Sequence, residues 1–271
     1  MSSKKSTASP GNGNNNGNKK CTGAQYNNLM LELHTNPYKF QFKTFGATKE
    51  IVISQDFDFG IGGVLWDCGL ILAKYITSQE NQTRWLQKVV VELGAGTALP
   101  ALTAWQLGAK VVATDLPEVV EPVTNPNIQL NIANATKQHR KTCLAAPCSW
   151  GEDADADALL QHCPLVKENR GVIDFIIAAD VVYRGEDHPK LLHTIRRLAS
   201  EKTVIIFVHR TRVSNDGNFV EPLKATFIQT KSVNAKTVLP TYPKDNATIY
   251  EFCGFRPDAP SDSDILALEE Q

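Results

Sequence analysis

Residues 88–97, KVVVELGAGT, constrain the fold more than any other stretch of the chain. Three consecutive valines suit a strand covered on both faces, as in a parallel sheet packed between helices. Gly94 and Gly96 follow at once, and glycines there let the chain turn tightly and bring its backbone close to a ligand. Leu99–Leu107 then reads as a short helix with Gly108 as its stop signal. Lys110–Thr114 (KVVAT) reads as the next strand, ending at Asp115. Strand, turn, helix and strand in that order form the unit of a parallel α/β sheet.

The unit recurs downstream. A broken helical stretch is expected over 117–134, a strand near 141–147, and a strand at Val172–Ala179 closing at Asp180. A helix over Asp187–Ser200 and a strand at Thr203–Val208 complete the parallel part. Near the start, Tyr38, Phe40 and Phe42 alternate with Lys39, Gln41 and Lys43, and Ile51–Ile53 follows a turn at Gly46-Ala47. That pattern predicts a β-hairpin extension. Gly60, Gly62 and Gly63 make a loop, followed by a helix over about 65–77. At the far end, a helix near 218–230 and strands near 235–240 and 247–255 point to a terminal antiparallel hairpin.

Composition removes several partners. Lys+Arg is 28 and Asp+Glu is 29, a net charge of −1, whereas a general nucleic-acid grip needs a surplus of cations. No uncharged apolar run approaches the roughly 20 residues that span a bilayer, so no membrane association is expected. Residues 1–20 hold only two hydrophobic side chains, Met1 and Ala8, and removing their four lysines leaves the remainder near −5. Too little apolar surface is available there to offset ordering entropy. The expected organisation is a disordered tail at 1–25, one domain at 26–258 and a loose C-terminal tail at 259–271. The start lacks a secretory core, arginines and a glycine after Met1. A cytoplasmic location follows as the expectation, with the nucleus as a second compartment. The six cysteines (21, 68, 143, 148, 163, 253) form no C-x-x-C pair and are expected as reduced thiols, Cys68 and Cys253 as small core residues, with no metal site.

In sheets of this class ligands bind beyond the carboxyl ends of the strands. The residues to weigh are therefore Gly94-Ala95-Gly96, Asp115, Trp150 and Asp180–Tyr183. The glycine pair is compatible with a plain strand-to-helix turn or with a nucleoside site. A dinucleotide fingerprint would place a third glycine at 99, where this chain has Leu99. Glu92, just ahead of the glycines, would repel a pyrophosphate but suits a cationic ligand such as S-adenosylmethionine. Asp115 can accept both ribose hydroxyl hydrogens; the bland reading is a solvated loop acid. Asp180 and Tyr183 can face one cleft, where the acid holds an ammonium group and the ring walls a channel. The alternative is a helix cap beside a core-edge tyrosine. Trp66 and Trp150 fit either a pocket wall or core packing. His188 and His193 read as surface or capping residues on their helix.

With those residues in hand, the chain resembles the class I (seven-β-strand) S-adenosylmethionine-dependent methyltransferases. More narrowly it is similar to the methyltransferase-like protein lysine methyltransferases, the family that includes the enzyme acting on valosin-containing protein. The resemblance rests on GGVLWDCGLILAKYI (62–76), VVELGAGTALPALTAWQLGAKVVATDLPEV (90–119), NIQLN (127–131), SWGED (149–153) and DFIIAADVVY (174–183). It implies a Rossmann-like, seven-stranded, mostly parallel sheet with helices on both faces. It also implies S-adenosyl-L-methionine as cofactor, with Trp66 beside it, Gly94, Ala95 and Gly96 around its methionine part, Asp115 on the ribose, Trp150 near the adenine and Ala179 as a backbone contact. Asp180 and Tyr183 match a D-x-x-Y motif near the acceptor. The family's usual third glycine is Ala98 here. A monomer acting on a protein substrate is expected, a chaperone, an AAA ATPase or a translation factor, at its lysine side chains. Histidine or arginine methylation is a close variant. A non-catalytic cofactor-binding scaffold and a nicotinamide-dependent oxidoreductase are the other classes weighed, the last opposed by Leu99 and Glu92.

Overall fold

The valine run forms β3 (Val89–Leu93), all five of whose residues are buried. It lies between two parallel neighbours, β4 (Lys110–Asp115) and β6 (Phe175–Ala179). The computed structural model describes residues 23–211, 219–261 and 264. Its main sheet has seven strands in the order β5-β4-β3-β6-β7-β9-β8, with β5 at Cys143–Pro147 and β7 at Val204–Arg210. From β3 to β7 all neighbours run parallel. The last two strands, β8 (Phe227–Asn234) and β9 (Ala247–Phe255), form the antiparallel end. The chain steps outward one way from β3 through β4 to β5, then returns to the other side of β3 with β6 and β7. The crevice of such a sheet lies at that reversal, at the carboxyl ends of β3 and β6.

Two apolar layers sandwich the sheet. On one face lie α1 (Gly23–Leu33), α2 (Asp67–Thr77), α3 (Leu99–Gln106) and the hairpin of β1 (Tyr38–Thr44) and β2 (Ala47–Ile53). The helices at Asp153–His162 and His188–Leu198, together with Phe219, Val220 and Leu223, pack the other. In β1 burial alternates along the whole strand, with Tyr38, Phe40, Phe42 and Thr44 inward, as the period-two pattern predicts.

The hairpin is held by a motif. Asn127 and Asn131 stand four residues apart in the Asn125–Ile132 helix, hence on one face of it. Asn131 accepts a hydrogen bond from the Val52 N–H (2.9 Å) and donates to the Val52 carbonyl (2.8 Å). Asn127 does the same for Ser54 at 2.8 and 3.0 Å. Two side-chain amides thus satisfy the free backbone edge of β2, which would otherwise template pairing with another chain.

Several boundaries differ from the sequence expectation. The hairpin turn falls at Phe45-Gly46, both at positive φ (47° and 80°), and Ala47 already belongs to β2. The helix expected over 218–230 spans only Val220–Thr226, and the strand expected near 235–240 is β8 at Phe227–Asn234. Aromatic and β-branched residues from Phe227 onward favour the strand, while Ala235–Thr237 forms a tight turn capped by Asn234. The stretch 117–134 divides into Pro117–Val119, a wide turn at Val120–Thr124 and the Asn125–Ile132 helix; Pro117, Pro122 and Pro126 lack the N–H that a continuous helix needs. Helices at Asp153–His162 and Pro164–Glu168 were not expected, and α1 begins at Gly23, inside the stretch read as tail. Residues 1–22 of that tail, and most of 262–271, lie outside the described residues. His193 is buried against Asp153 at 2.7 Å rather than on the surface, and Cys253 is only partly buried. Among the described residues no helix is long and apolar enough to cross a membrane.

Removing one hairpin tie should be measurable. Asn131→Ala leaves both backbone groups of Val52 without their partner, a cost of about 1–3 kcal/mol. Urea unfolding should report that loss, and an unchanged midpoint would mean water satisfies the β2 edge equally well.

Candidate active site

A cavity of about 340 Å³ opens at the carboxyl ends of β3 and β6. All ten residues singled out from the sequence line it: Trp66, Glu92, Gly94, Ala95, Gly96, Asp115, Trp150, Ala179, Asp180 and Tyr183. Its size suits a small-molecule ligand.

The glycine loop is built for close approach. Gly94 has φ +65°, and a side chain there would place Cβ 2.6 Å from Val181 Cγ1 and 3.1 Å from the Trp150 ring. At Gly96, φ is +49° and a Cβ would sit 3.1 Å from the Gly62 carbonyl oxygen. Asp115 fixes the loop from β4: its Oδ2 accepts from the Gly96 N–H and its Oδ1 from the Leu116 N–H, both at 2.8 Å. Burial pushes the Asp115 carboxyl up despite these two bonds. Thr124 adds a further tie by donating to the Gly96 carbonyl at 2.8 Å.

Glu92 is almost wholly enclosed. Its Oε2 accepts from the Ala101 N–H at 2.9 Å, so the carboxyl also serves the first turn of α3. Burial drives its pKa well above the usual carboxylate range, the Ala101 bond opposes the shift, and the Asp115 charge adds to it. Burial disfavours the charged form of this acid, and a cationic ligand beside it would favour the carboxylate.

Ala98, where the resemblance expects glycine, sits at φ +62° just before α3 and is fully buried. Its left-handed backbone costs about 1–2 kcal/mol. Its buried methyl offsets about 0.8 kcal/mol of that cost, so alanine stands there at a modest net penalty.

The two tryptophans take different posts. Trp66 Nε1 donates to the Ile61 carbonyl at 3.0 Å, which fixes its ring beside the 60–63 loop. Trp150 lies over Gly94, partly buried. Asp180 follows β6 with φ +60°, a left-handed conformation that few residues with a side chain adopt, aspartate among them. Tyr183 is 37% exposed, and its phenol is pushed up, mainly by burial.

A second cavity of about 240 Å³ shares Ile61, Trp66, Asp180 and Tyr183 with the first, and adds Arg210. Sequence reasoning missed Arg210 altogether, and it quoted Asp67 in its motifs without giving it a role. Asp67 is fully buried, 3.5 Å from the Arg210 guanidinium and 2.9 Å from the Tyr242 hydroxyl that donates to it. The signal was present: an acid directly after a tryptophan at the start of an otherwise apolar helix needs a partner.

The sheet order, the glycine cradle and the acid closing β4 together define the class of S-adenosylmethionine-dependent methyltransferases. Residues 46–226 match the lysine methyltransferase family, and the chain belongs to that family. Protein-lysine methyltransferase METTL21E from Mus musculus is 35% identical over 67% of this chain and 69% of its own length. The Bos taurus METTL21E is 36% identical over 67% of this chain, but the match spans only 58% of that protein. Protein N-lysine methyltransferase METTL21A from Xenopus tropicalis is 31% identical over 73% of this chain and 82% of its own length.

Two outcomes test this site. Ala98→Gly should leave the unfolding free energy within about 1 kcal/mol of wild type, and a larger change in a urea titration would show the balance above to be misjudged. A carboxyl raised in the fold, as Glu92 is, contributes stability below its unfolded pKa and loses it as pH rises through the raised folded value. Glu92→Gln should therefore gain on wild type as pH rises above the ordinary carboxylate range, each kcal/mol moving Tm by about 2–4 °C. A Tm difference that stays constant with pH would place the carboxyl in an ordinary environment.

Proposed function

We propose that this chain transfers the methyl group of S-adenosylmethionine to a lysine side chain of a protein. The observation that carries the reading is the junction of two cavities at Trp66, Asp180 and Tyr183. One arm has the glycine loop, Asp115 and Trp150, and the other is closed by Arg210. A donor in the first arm and an amine entering by the second would meet where those three residues stand. When bound, the cofactor supplies a methyl already activated by a sulfonium.

The chain's own residues then have distinct tasks. Gly94 and Gly96 admit the donor's amino-acid part against bare backbone, and the Ala95 and Ala179 backbones flank it. Asp115 keeps unused lone pairs for the two ribose hydroxyls, since each of its oxygens accepts a single backbone bond. Glu92 supplies negative charge near the cationic donor. Trp150 offers a flat wall to the adenine and Trp66 another at the junction.

The acceptor must lose a proton before it attacks. A free lysine has a pKa of about 10.4, so at pH 7 roughly one amine in two thousand is neutral. Desolvation between the Trp66 and Tyr183 rings lowers that barrier. Asp180 holds the ammonium in line with the donor and then receives or relays its proton. Alignment is the larger contribution, because ordering the two reactants accounts for much of such a barrier.

Incubation with tritium-labelled S-adenosylmethionine and cell lysate should label protein, with methyl-lysine recovered on hydrolysis. Asp180→Asn should lower transfer by about 100-fold or more while cofactor affinity stays within a few-fold, and Asp115→Ala should weaken cofactor binding first. Label recovered only as methyl-histidine or methyl-arginine, or an Asp180→Asn protein of full activity, would sink the reading.

A further inference from the structure

The acceptor side holds a buried charge cluster that no motif announced. Donor atoms of Asp67, Cys68 and Asp180 lie within 4.8 Å of one another. The cation among them is the Arg210 guanidinium, 3.5 Å from Asp67 Oδ2 and 4.0 Å from Asp180 Oδ2. All three charged side chains are enclosed: Asp67 is 0%, Asp180 6% and Arg210 9% exposed. Arg210 Nη1 donates to the Tyr26 hydroxyl, and the guanidinium lies over that ring at 5.5 Å. Lys244 covers the same ring at 3.5 Å. Tyr26 belongs to α1, and Tyr242 and Lys244 to the segment between β8 and β9. All three fall outside the 46–226 span of the family match.

We infer that Arg210 is a positioning residue of the acceptor site, braced by Tyr26 of the N-terminal helix, and that it sets the strength with which Asp180 holds the acceptor amine. The inference rests on the lysine reading above. A lone buried carboxylate would bind an ammonium tightly and raise its pKa, which opposes the deprotonation that attack requires. A guanidinium 4.0 Å from that carboxylate offsets its field while keeping it oriented. Asp67 and Asp180 share the one guanidinium within ion-pair range, which leaves one negative charge at the site, with the Lys244 ammonium set back behind the Tyr26 ring; that is enough to attract a single cationic side chain and too little to trap it. The titratable and charged groups around Asp180 and Arg210 are Asp67 and Cys68 from α2, Tyr26 from α1, Tyr183 after β6, and Tyr242 and Lys244 from the β8–β9 segment. The Tyr26 phenol is pushed up to about 12, first by burial and then by Asp67, so it stays a neutral brace at working pH. Arg210 keeps its proton as well, because Asp67 and Asp180 outweigh the effect of its burial. The N-terminal helix and the β8–β9 segment thereby become parts of the acceptor site.

The test uses the full chain, S-adenosylhomocysteine as cofactor probe and tritium transfer to lysate proteins as the rate. Arg210→Met should cut transfer about 30-fold or more, as loss of one partner in a buried charge pair does, with S-adenosylhomocysteine affinity unchanged within about threefold. The rise of rate with pH should move upward by about one unit in that variant. Arg210→Lys, which keeps the charge, should restore the wild-type midpoint and part of the rate. Tyr26→Phe should lower the rate about fivefold, the scale of one hydrogen bond. A pH profile that does not move in Arg210→Met overturns the inference, as does an Arg210→Lys protein no better than Arg210→Met. Amide exchange at 180–183 gives a readout without any acceptor: it should quicken about tenfold or more in Arg210→Met. If wild-type protein labels nothing, the reaction reading falls, and unchanged exchange at 180–183 would overturn the positioning role on its own.

Discussion

The whole arrangement depends on one constraint, the complete burial of β3 between two parallel neighbours. Parallel neighbours require crossovers, and the crossovers carry α3 to one face and the helix before β6 to the other. Consecutive connections therefore leave β3 and β6 in opposite directions. A crevice opens between their carboxyl ends. The cavity forms there because of how the chain is wound, and Gly94 and Gly96 let its loop lie against Val181, Trp150 and Gly62, where a Cβ would be crowded.

The cavity's two arms are made differently. In the arm with the glycine loop, backbone does most of the work, and side chains such as Asp115 and Thr124 hold that backbone in shape. In the other arm, side chains from distant segments meet: Asp67 from α2, Asp180 after β6, Arg210 from β7, and Tyr26 and Tyr242 from beyond the ends of the family match. Under the proposed function the backbone cradle would hold the donor and the side-chain arm the acceptor amine.

The same contrast explains what could be read from the sequence. Glycine spacing, acids at strand ends and the D-x-x-Y stretch are local patterns, and the residues found through them line one cavity together with Trp66, Trp150 and Ala179, which the family resemblance supplied. The parallel order from β3 to β7 was legible for a similar reason, since buried strands announce themselves by unbroken apolar runs. β8 was misplaced because three successive residues, Ile228, Gln229 and Thr230, are exposed and break the alternation, and its pairing with β9 is irregular. Asp67 and Asp180 stand in stretches that the sequence analysis quoted, but their meeting with Tyr26, Arg210 and Tyr242 was invisible, because no periodicity links positions so far apart in the chain. The N-I-x-x-N stretch shows a different gap. Its residues were noticed, but their role is to fasten the hairpin to the sheet layer, and no local pattern distinguishes that from binding a ligand.

Backbone geometry and charge converge at Asp180. Aspartate enters the left-handed region more readily than most residues, but a turn fixed in one direction needs surroundings that hold it. Here they do: Val181 and Val182 are buried just after it, Ala179 is paired with β7 just before it, and Arg210 faces its carboxylate. The turn brings the carboxylate to the junction of the two cavities instead of leaving it along the strand. A glycine would adopt the turn more easily but would bring no charge. An aspartate in a relaxed turn would bring its charge with less definite direction. The combination suits a site where the position of that carboxylate must be well defined, which is the demand that the proposed in-line transfer between two bound partners makes.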